Sequence, residues 1–219
     1  MKGPVLSFQG VTVRYEPGSA AILRALDLEL AAGERVALLG LNGSGKTTLL
    51  KAAVGLLPHE GVILVCGETL GHSTLAGIRA RVGFLFNQPE DQLLFPEVLD
   101  DVAFGLRRQG VPLAEARLRA RAALAALGAE ALAGQDVHQL SHGQKQRVAL
   151  AGALATEPEL LLLDEPSAAL DPPGRERLAA LLRGLDTGML MATHDLAFAQ
   201  ACCTRMLVLE EGRLERRLL

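Results

Sequence analysis

Aromatic residues are nearly missing from this chain. It holds no tryptophan, one tyrosine and six phenylalanines among 219 residues, and rings make up only 3% of the sequence. With almost half of the residues apolar, the core has to be built from Leu, Ala and Val. That suits helices packed on a parallel sheet better than an aromatic-rich sandwich. Cysteine is also scarce. Cys66, Cys202 and Cys203 are an odd set with two members adjacent and no CxxC spacing, which argues against a disulfide framework or a zinc site and for reduced thiols in a cytosolic protein. A formal net charge of −3 gives no whole-chain reason to expect nucleic acid as a partner. There is no run of eighteen or more apolar residues, and MKGPVLSFQGVTV lacks an apolar stretch of signal-peptide type, so any membrane role is borrowed from a partner.

What is present is an alternation of strand and helix patterns, with no repeat or low-complexity linker. Segments 5–15 and 26–30 alternate as half-buried antiparallel strands do. RVALLG (35–40) is apolar throughout and stops at glycine, as a central parallel strand should, and 61–67 and 81–86 are further strand candidates. From Pro96 to about Leu140 the spacing is helical, with Pro112 where a helix can begin. The alternating Arg and Ala of that block read as a solvated helix face rather than a nucleic-acid helix. Helix at 143–155, strand at 160–164, helix at 172–185, strand at 188–194, helix at 195–203 and a hairpin at 205–214 complete the pattern. The expectation is one α/β domain carrying a helical insertion, in a chain long enough to bury a sizeable core.

GLNGSGKTT (40–48) matches GxxxxGK[ST] through Gly40, Gly45, Lys46 and Thr47, and also holds Asn42, Gly43, Ser44 and Thr48. Glycines let backbone N–H groups turn inward around phosphate oxygens, and the following helix adds its N-terminal dipole. Lys46 then offers a compact positive charge to the β and γ phosphates, and the Thr47 hydroxyl a ligand to Mg²⁺. LLLLDEP (160–166) sets Asp164 and Glu165 at the carboxyl end of a buried strand, beside where such a loop sits in a parallel sheet. Asp164 is placed to hold Mg²⁺ and Glu165 to polarise an attacking water.

At LSHGQKQRVALAGAL (140–154) the chain resembles the nucleotide-binding subunit of an ABC transporter over essentially its whole length. The phosphate loop, LSHGQ, LLLLDE, SAALD (167–171) and ATHD (192–195) follow one another in the family's order. The resemblance implies an α/β P-loop NTPase fold of the ABC ATPase type: a mainly parallel core sheet, an N-terminal antiparallel β-subdomain and an inserted helical subdomain. It implies a single ABC ATPase domain over 1–219, with the nucleotide-binding core at 1–86 and 156–219 and the loop, helical subdomain and signature helix at 87–155. It also implies that Tyr15 packs on adenine, and that Ser141, His142, Gly143 and Gln144 reach the γ-phosphate of ATP held by a second subunit. Asp171 would line the dimer seam and His194 contact the γ-phosphate.

Two positions depart from the family pattern. His142 stands where glycine is more common, and Phe86 is followed by Asn87 before Gln88. Either amide can take the role of the Mg²⁺ and water-contacting glutamine, Asn87 by alignment and Gln88 by reach. QPEDQLLFPEVLDDVAFG (88–105) is similar to energy-coupling-factor importers, where the second glutamine, here Gln92, frames with Phe95 a groove for helices of a transmembrane subunit. The short form ending at EEGRLERRLL resembles the cobalt or nickel branch and some biotin systems, and the family resemblance implies an ATP- and Mg²⁺-dependent motor on the cytoplasmic face of the membrane. It would dimerise, as a homodimer, and work with transmembrane energy-coupling and substrate-capture subunits. The expected cargo is a transition-metal ion, cobalt or nickel. A vitamin such as biotin, and soluble non-transport work such as cluster assembly, are the alternatives.

Overall fold

The computed structural model describes residues 3–16 and 18–216; Met1, Lys2, Pro17 and the last three residues of the ERRLL end lie outside them. The chain opens with β1 (Leu6–Val13) and β2 (Leu23–Leu30), an antiparallel pair, and enters β3 (Arg35–Leu39) and α1 (Lys46–Ala53). β4 (His59–Val65) and β5 (Glu68–Thr69) return beside β1. α2 (Leu75–Arg81) then leads into β6 (Val82–Leu85). The helical block is α3 (Val98–Arg108), α4 (Leu113–Ala126) and α5 (His142–Ala155). It is followed by β7 (Leu160–Asp164), α6 (Pro172–Gly184), β8 (Gly188–Ala192), α7 (Leu196–Cys202), β9 (Arg205–Glu210) and β10 (Arg213–Arg216).

Among the described residues the strands make two sheets, of order β2-β1-β4-β5 and β10-β9-β3-β8-β7-β6. The first is antiparallel. The second is parallel from β9 to β6, with β10 antiparallel at its edge. This is the expected arrangement of a mainly parallel core sheet, an N-terminal antiparallel sheet and an inserted helical block.

The continuous apolar strands follow from burial on both faces. Along β7, Leu160 and Leu162 pack into the core shared with β1, β2 and α1, while Leu161 and Leu163 point to the core shared with α3, α5 and α6. β3 and β8 divide the same way, with Val36, Leu38 and Leu190 on one side and Ala37, Met189 and Met191 on the other. Side chains alternate along a strand, so four consecutive leucines serve two cores at once.

The helical block closes on its own stripe. Val98, Leu99, Val102, Ala103 and Leu106 of α3 are buried with Ala116, Ala120 and Leu124 of α4; small residues at i and i+4 let α4 approach closely. The arginines of α4 do more than face water. Arg117 makes two bonds to Asp100 of α3, at 2.7 and 3.0 Å, and Arg119 reaches Glu157 beyond α5 at 3.2 Å. Half-exposed pairs of this kind add little stability, but they fix how α4 sits. No helix among the described residues is long and apolar enough to cross a membrane.

α2 has no counterpart in the sequence reading. Ile78 is the single buried residue it contributes, so no apolar period announces it, and it is held through neighbours: Arg79 donates to the carbonyls of Val54 and Gly55.

Candidate active site

Three adjacent central strands, in the order β3-β8-β7, carry at or just past their carboxyl ends the phosphate loop, His194, and Asp164 with Glu165. The turn after β3 is tight enough that a Cβ on Gly40 would lie 2.5 Å from the Leu209 carbonyl and 2.7 Å from Ser44 Oγ. Gly45, at the cap of α1, has φ +105, a region side chains avoid. The loop ends on Lys46, only 7% exposed, whose Nζ donates to the carbonyls of Gly40 and Leu41 at 2.8 and 3.1 Å. Beside it the Thr47 hydroxyl donates to Asp164 Oδ2 at 2.6 Å. Thr48 Oγ1 is 3.1 Å from the Tyr15 hydroxyl, and the Tyr15 ring is exposed. Ser44 Oγ is buried in the loop with no hydrogen-bond partner. A buried hydroxyl of that kind calls for a polar ligand.

Asp164 is almost fully buried, and burial pushes its carboxyl above the ordinary carboxylate range, with the Glu165 charge adding to this; the Thr47 bond and the charges of Lys46 and Lys51 pull the other way. Paired hard oxygens from Thr47 and Asp164 fit Mg²⁺, which takes few protein oxygens and keeps much of its water. Glu165 adopts φ +51, strained for a residue with a side chain. Its N–H donates to the Ala192 carbonyl at 2.9 Å. Its carboxylate accepts from the Thr193 hydroxyl at 3.1 Å and lies 3.0 Å from His194 Nδ1. Thr193, fully buried at the end of β8, was not singled out from sequence; a hydroxyl between a strand and the ATHD histidine was the available signal.

The LSHGQ segment is a helix start. Ser141 caps α5, its hydroxyl accepting from the Gln144 N–H at 3.4 Å, and the Gln144 side-chain Oε1 accepts from the Ser141 N–H at 2.8 Å. This reciprocal pair is a capping box, so part of Gln144 has a local task besides any role toward a partner's phosphate. His142 takes a helical backbone, and the missing glycine therefore costs no strain. Its side chain is half exposed, with Nδ1 3.6 Å from Glu90 Oε1. The same carboxylate accepts from Lys145 at 3.2 Å. Glu90's own backbone N–H, then Lys145 and His142, hold its carboxyl below the usual range. Asp171 caps α6, its Oδ1 accepting from the Gly174 N–H at 3.0 Å.

Phe86 through Phe95 forms the joint between the core sheet and the helical block. Asn87 and Gln88 are both exposed, ahead of a buried Pro89 that opens a 3₁₀ turn. Gln92 has a structural task as well as a place in the groove wall: its amide accepts from the Phe86 N–H at 2.8 Å and donates to the carbonyls of Phe84 and Ala149, at 3.3 and 3.2 Å. At the end of β6 the amide takes up the Phe86 N–H and the Phe84 carbonyl, and through the Ala149 carbonyl it ties that strand end to the middle of α5. Phe95 stacks on Phe104 with centroids 5.1 Å apart, and it supports from behind a groove of about 630 Å³ whose walls include Leu75, Arg79, Phe84, Gln92, Phe104 and Arg108. Because Gln92 staples three backbone groups, Gln92→Ala is expected to lower stability by about 1–3 kcal/mol, read as a shift of the urea midpoint; an unchanged midpoint would reject the staple.

A family model described as ABC transporter matches residues 23–168. An ABC transporter ATP-binding protein of Streptomyces avermitilis is 45% identical over 97% of this chain and 81% of its own length. The cobalt import ATP-binding protein of Rhodobacter capsulatus is 43% identical, over 96% and 77%. The energy-coupling factor transporter ATP-binding protein EcfA1 of Lacticaseibacillus paracasei is 41% identical, over 97% and 78%. Among solved structures, a dimeric bacterial ABC transporter cassette superposes with a TM-score of 0.88 at 32% identity, covering 96% of this chain and 97% of that one.

Proposed function

The chain belongs to the ABC transporter family and is an ATPase, and from that premise we propose that it powers an import complex of energy-coupling-factor type. The hydrolysis that this reading rests on is carried by the convergence, past the carboxyl ends of three central strands, of a phosphate loop, the Thr47–Asp164 pair at 2.6 Å and a Glu165 carboxylate held by Thr193 and His194. The importer reading is supported by the similarity to a cobalt import and an energy-coupling factor ATP-binding protein.

ATP binds with its phosphates in the N–H cradle of residues 40–48, including Asn42, Gly43, Ser44 and Gly45. Lys46 exchanges the carbonyls of Gly40 and Leu41 for β and γ phosphate oxygens, and the Ser44 hydroxyl gains the partner it lacks. Tyr15 offers its exposed ring to adenine. Thr47, Asp164 and one of the adjacent amides, Asn87 or the longer Gln88, hold Mg²⁺. When bound, the metal supplies charge neutralisation to the phosphates. Glu165 accepts a proton from the attacking water, and His194, 65% exposed at its side chain, reaches toward the γ-phosphate. Ser141, His142, Gly143 and Gln144 lie at the open start of α5, so they serve the nucleotide of a second copy, with Asp171 at the seam.

The groove between α2, α3 and α5 receives a helix of a transmembrane subunit, which holds the chain at the cytoplasmic face of the membrane. Energy-coupling and substrate-capture subunits complete the complex. Cobalt or nickel is the proposed cargo, and the similarity to a cobalt import ATPase is its support. The tagged chain purified from detergent-solubilised membranes of its own host is expected to bring down an integral membrane subunit, and deleting its gene to abolish uptake of radiolabelled cobalt or nickel. Recovery with soluble scaffold proteins alone would overturn the importer; lost biotin uptake with intact metal uptake would replace the cargo.

A further inference from the structure

Gln146 lies on the buried stripe of α5 shared with Ala149, Leu150 and Ala153, at i, i+3, i+4 and i+7, and only 2% of its surface is exposed. An amide in that position is costly unless both its ends are bonded. Both are. Nε2 donates to the carbonyl of Glu165 at 2.9 Å, and Oε1 accepts from the N–H of Ala169 at 3.2 Å. The partners are a fixed acceptor and a fixed donor, so only one orientation of the amide satisfies them. The whole side chain is spent on the turn from Glu165 to Ala169.

Two other observations mark that contact as tight. A Cβ on Gly143, one turn earlier in α5, would stand 2.6 Å from the Ala169 carbonyl, so the helix start lies directly against the same turn. Glu165 itself is held at φ +51, a conformation that persists only when its surroundings over-determine it. Its carbonyl accepts from the Ala168 N–H at 3.2 Å as well as from Gln146, while its N–H is tied to β8.

We propose that Gln146 is a positioning residue for Glu165: a clamp from the signature helix that holds the backbone of the catalytic turn, and with it the direction of the Glu165 carboxylate. This rests on the reading of Glu165 as the base. Because α5 begins with the residues offered to a second copy's nucleotide, the clamp ties the aim of the base to the placement of that helix. Both ends of the Gln146 amide are bonded to the backbone of the turn, so it acts on the reaction through Glu165.

The test is hydrolysis in the full chain, counted per bound nucleotide so that unfolded protein drops out. Gln146→Met keeps length and volume and removes both bonds. It is expected to lower kcat by about tenfold to a hundredfold, as a small misplacement of a reacting group does, with KM for ATP changed less than about twofold. In the Glu165→Gln background the same substitution should add less than about twofold to the loss in single-turnover hydrolysis, because a residue acting through Glu165 has nothing left to act on. If Gln146→Met does not fold, Gln146→Glu serves instead, since it sets a carboxylate oxygen against the Glu165 carbonyl and loses the same donor. Full turnover per bound nucleotide, or losses that multiply in the double variant, would overturn the clamp. Retained hydrolysis in Glu165→Gln alone would instead overturn the base on which it rests.

Discussion

Glu165→Gln is expected to reduce ATP turnover by about two to four orders of magnitude, the usual contribution of a positioned general base, while ATP still binds. The reason is local. The amide keeps the size of the carboxylate and can still meet the Thr193 hydroxyl and His194, which lie 3.1 and 3.0 Å from Glu165 in the native chain, but it can no longer take a proton from water. The strained backbone at φ +51 is unaffected, because Gln carries the same Cβ. Phosphate release against ATP concentration measures the first half of the expectation and fluorescent-nucleotide binding the second. A variant that kept a tenth or more of the native rate would remove Glu165 as the base. Since ATP is bound but not consumed, gel filtration of this variant with ATP and Mg²⁺ is expected to show a dimer. A persistent monomer would argue against the composite site formed with residues 141–144.

The second large effect concerns binding. Lys46→Ala is expected to raise the Kd for ATP by roughly a hundredfold, the upper end for a charge-assisted hydrogen bond. The ammonium is nearly buried and already aimed into the loop, 2.8 and 3.1 Å from two of its carbonyls, so it has little ordering left to undergo when phosphate arrives. Thermal unfolding with and without ATP reads the change directly. At an ATP concentration a hundred times the native Kd, the native protein gains about 2.7 kcal/mol, and a hundredfold weaker variant only about 0.4 kcal/mol. Equal stabilisation of both proteins would show that Lys46 does not meet the phosphates.

Both predictions concern residues that could be found in the sequence, because each sits in a short motif whose backbone task is local. A glycine-rich turn between an apolar strand and a helix makes a phosphate cradle almost wherever it occurs, and a carboxylate that ends a continuous apolar strand is delivered to the edge of a parallel sheet. The LLLLD run announced a central strand for a physical reason as well: only a strand covered on both faces can afford four leucines in a row. The helical block was legible from its period. α2 was not, since its only buried side chain is Ile78 and its position depends on Arg79 reaching the carbonyls of the turn after α1.

What polar residues do for partners distant in the chain is not legible in the sequence. Gln92 lines the groove, and its amide also serves the end of β6 and the middle of α5. Gln146 was only one polar letter in a helical stretch, although its place on an apolar stripe was a usable sign. Glu90 meets Lys145 and His142 at the start of α5, a contact that nothing in consecutive residues announces. The sequence by itself determined the class of fold, the order of its elements apart from α2, and the phosphate loop and carboxylates, because periodicity and local turn geometry are written in consecutive residues. Only the tertiary structure decided which amides hold the catalytic turn and the joint to the helical block, because residues 146 and 165, or 92 and 149, are far apart in the chain and meet only once packing has brought their elements together and excluded water between them.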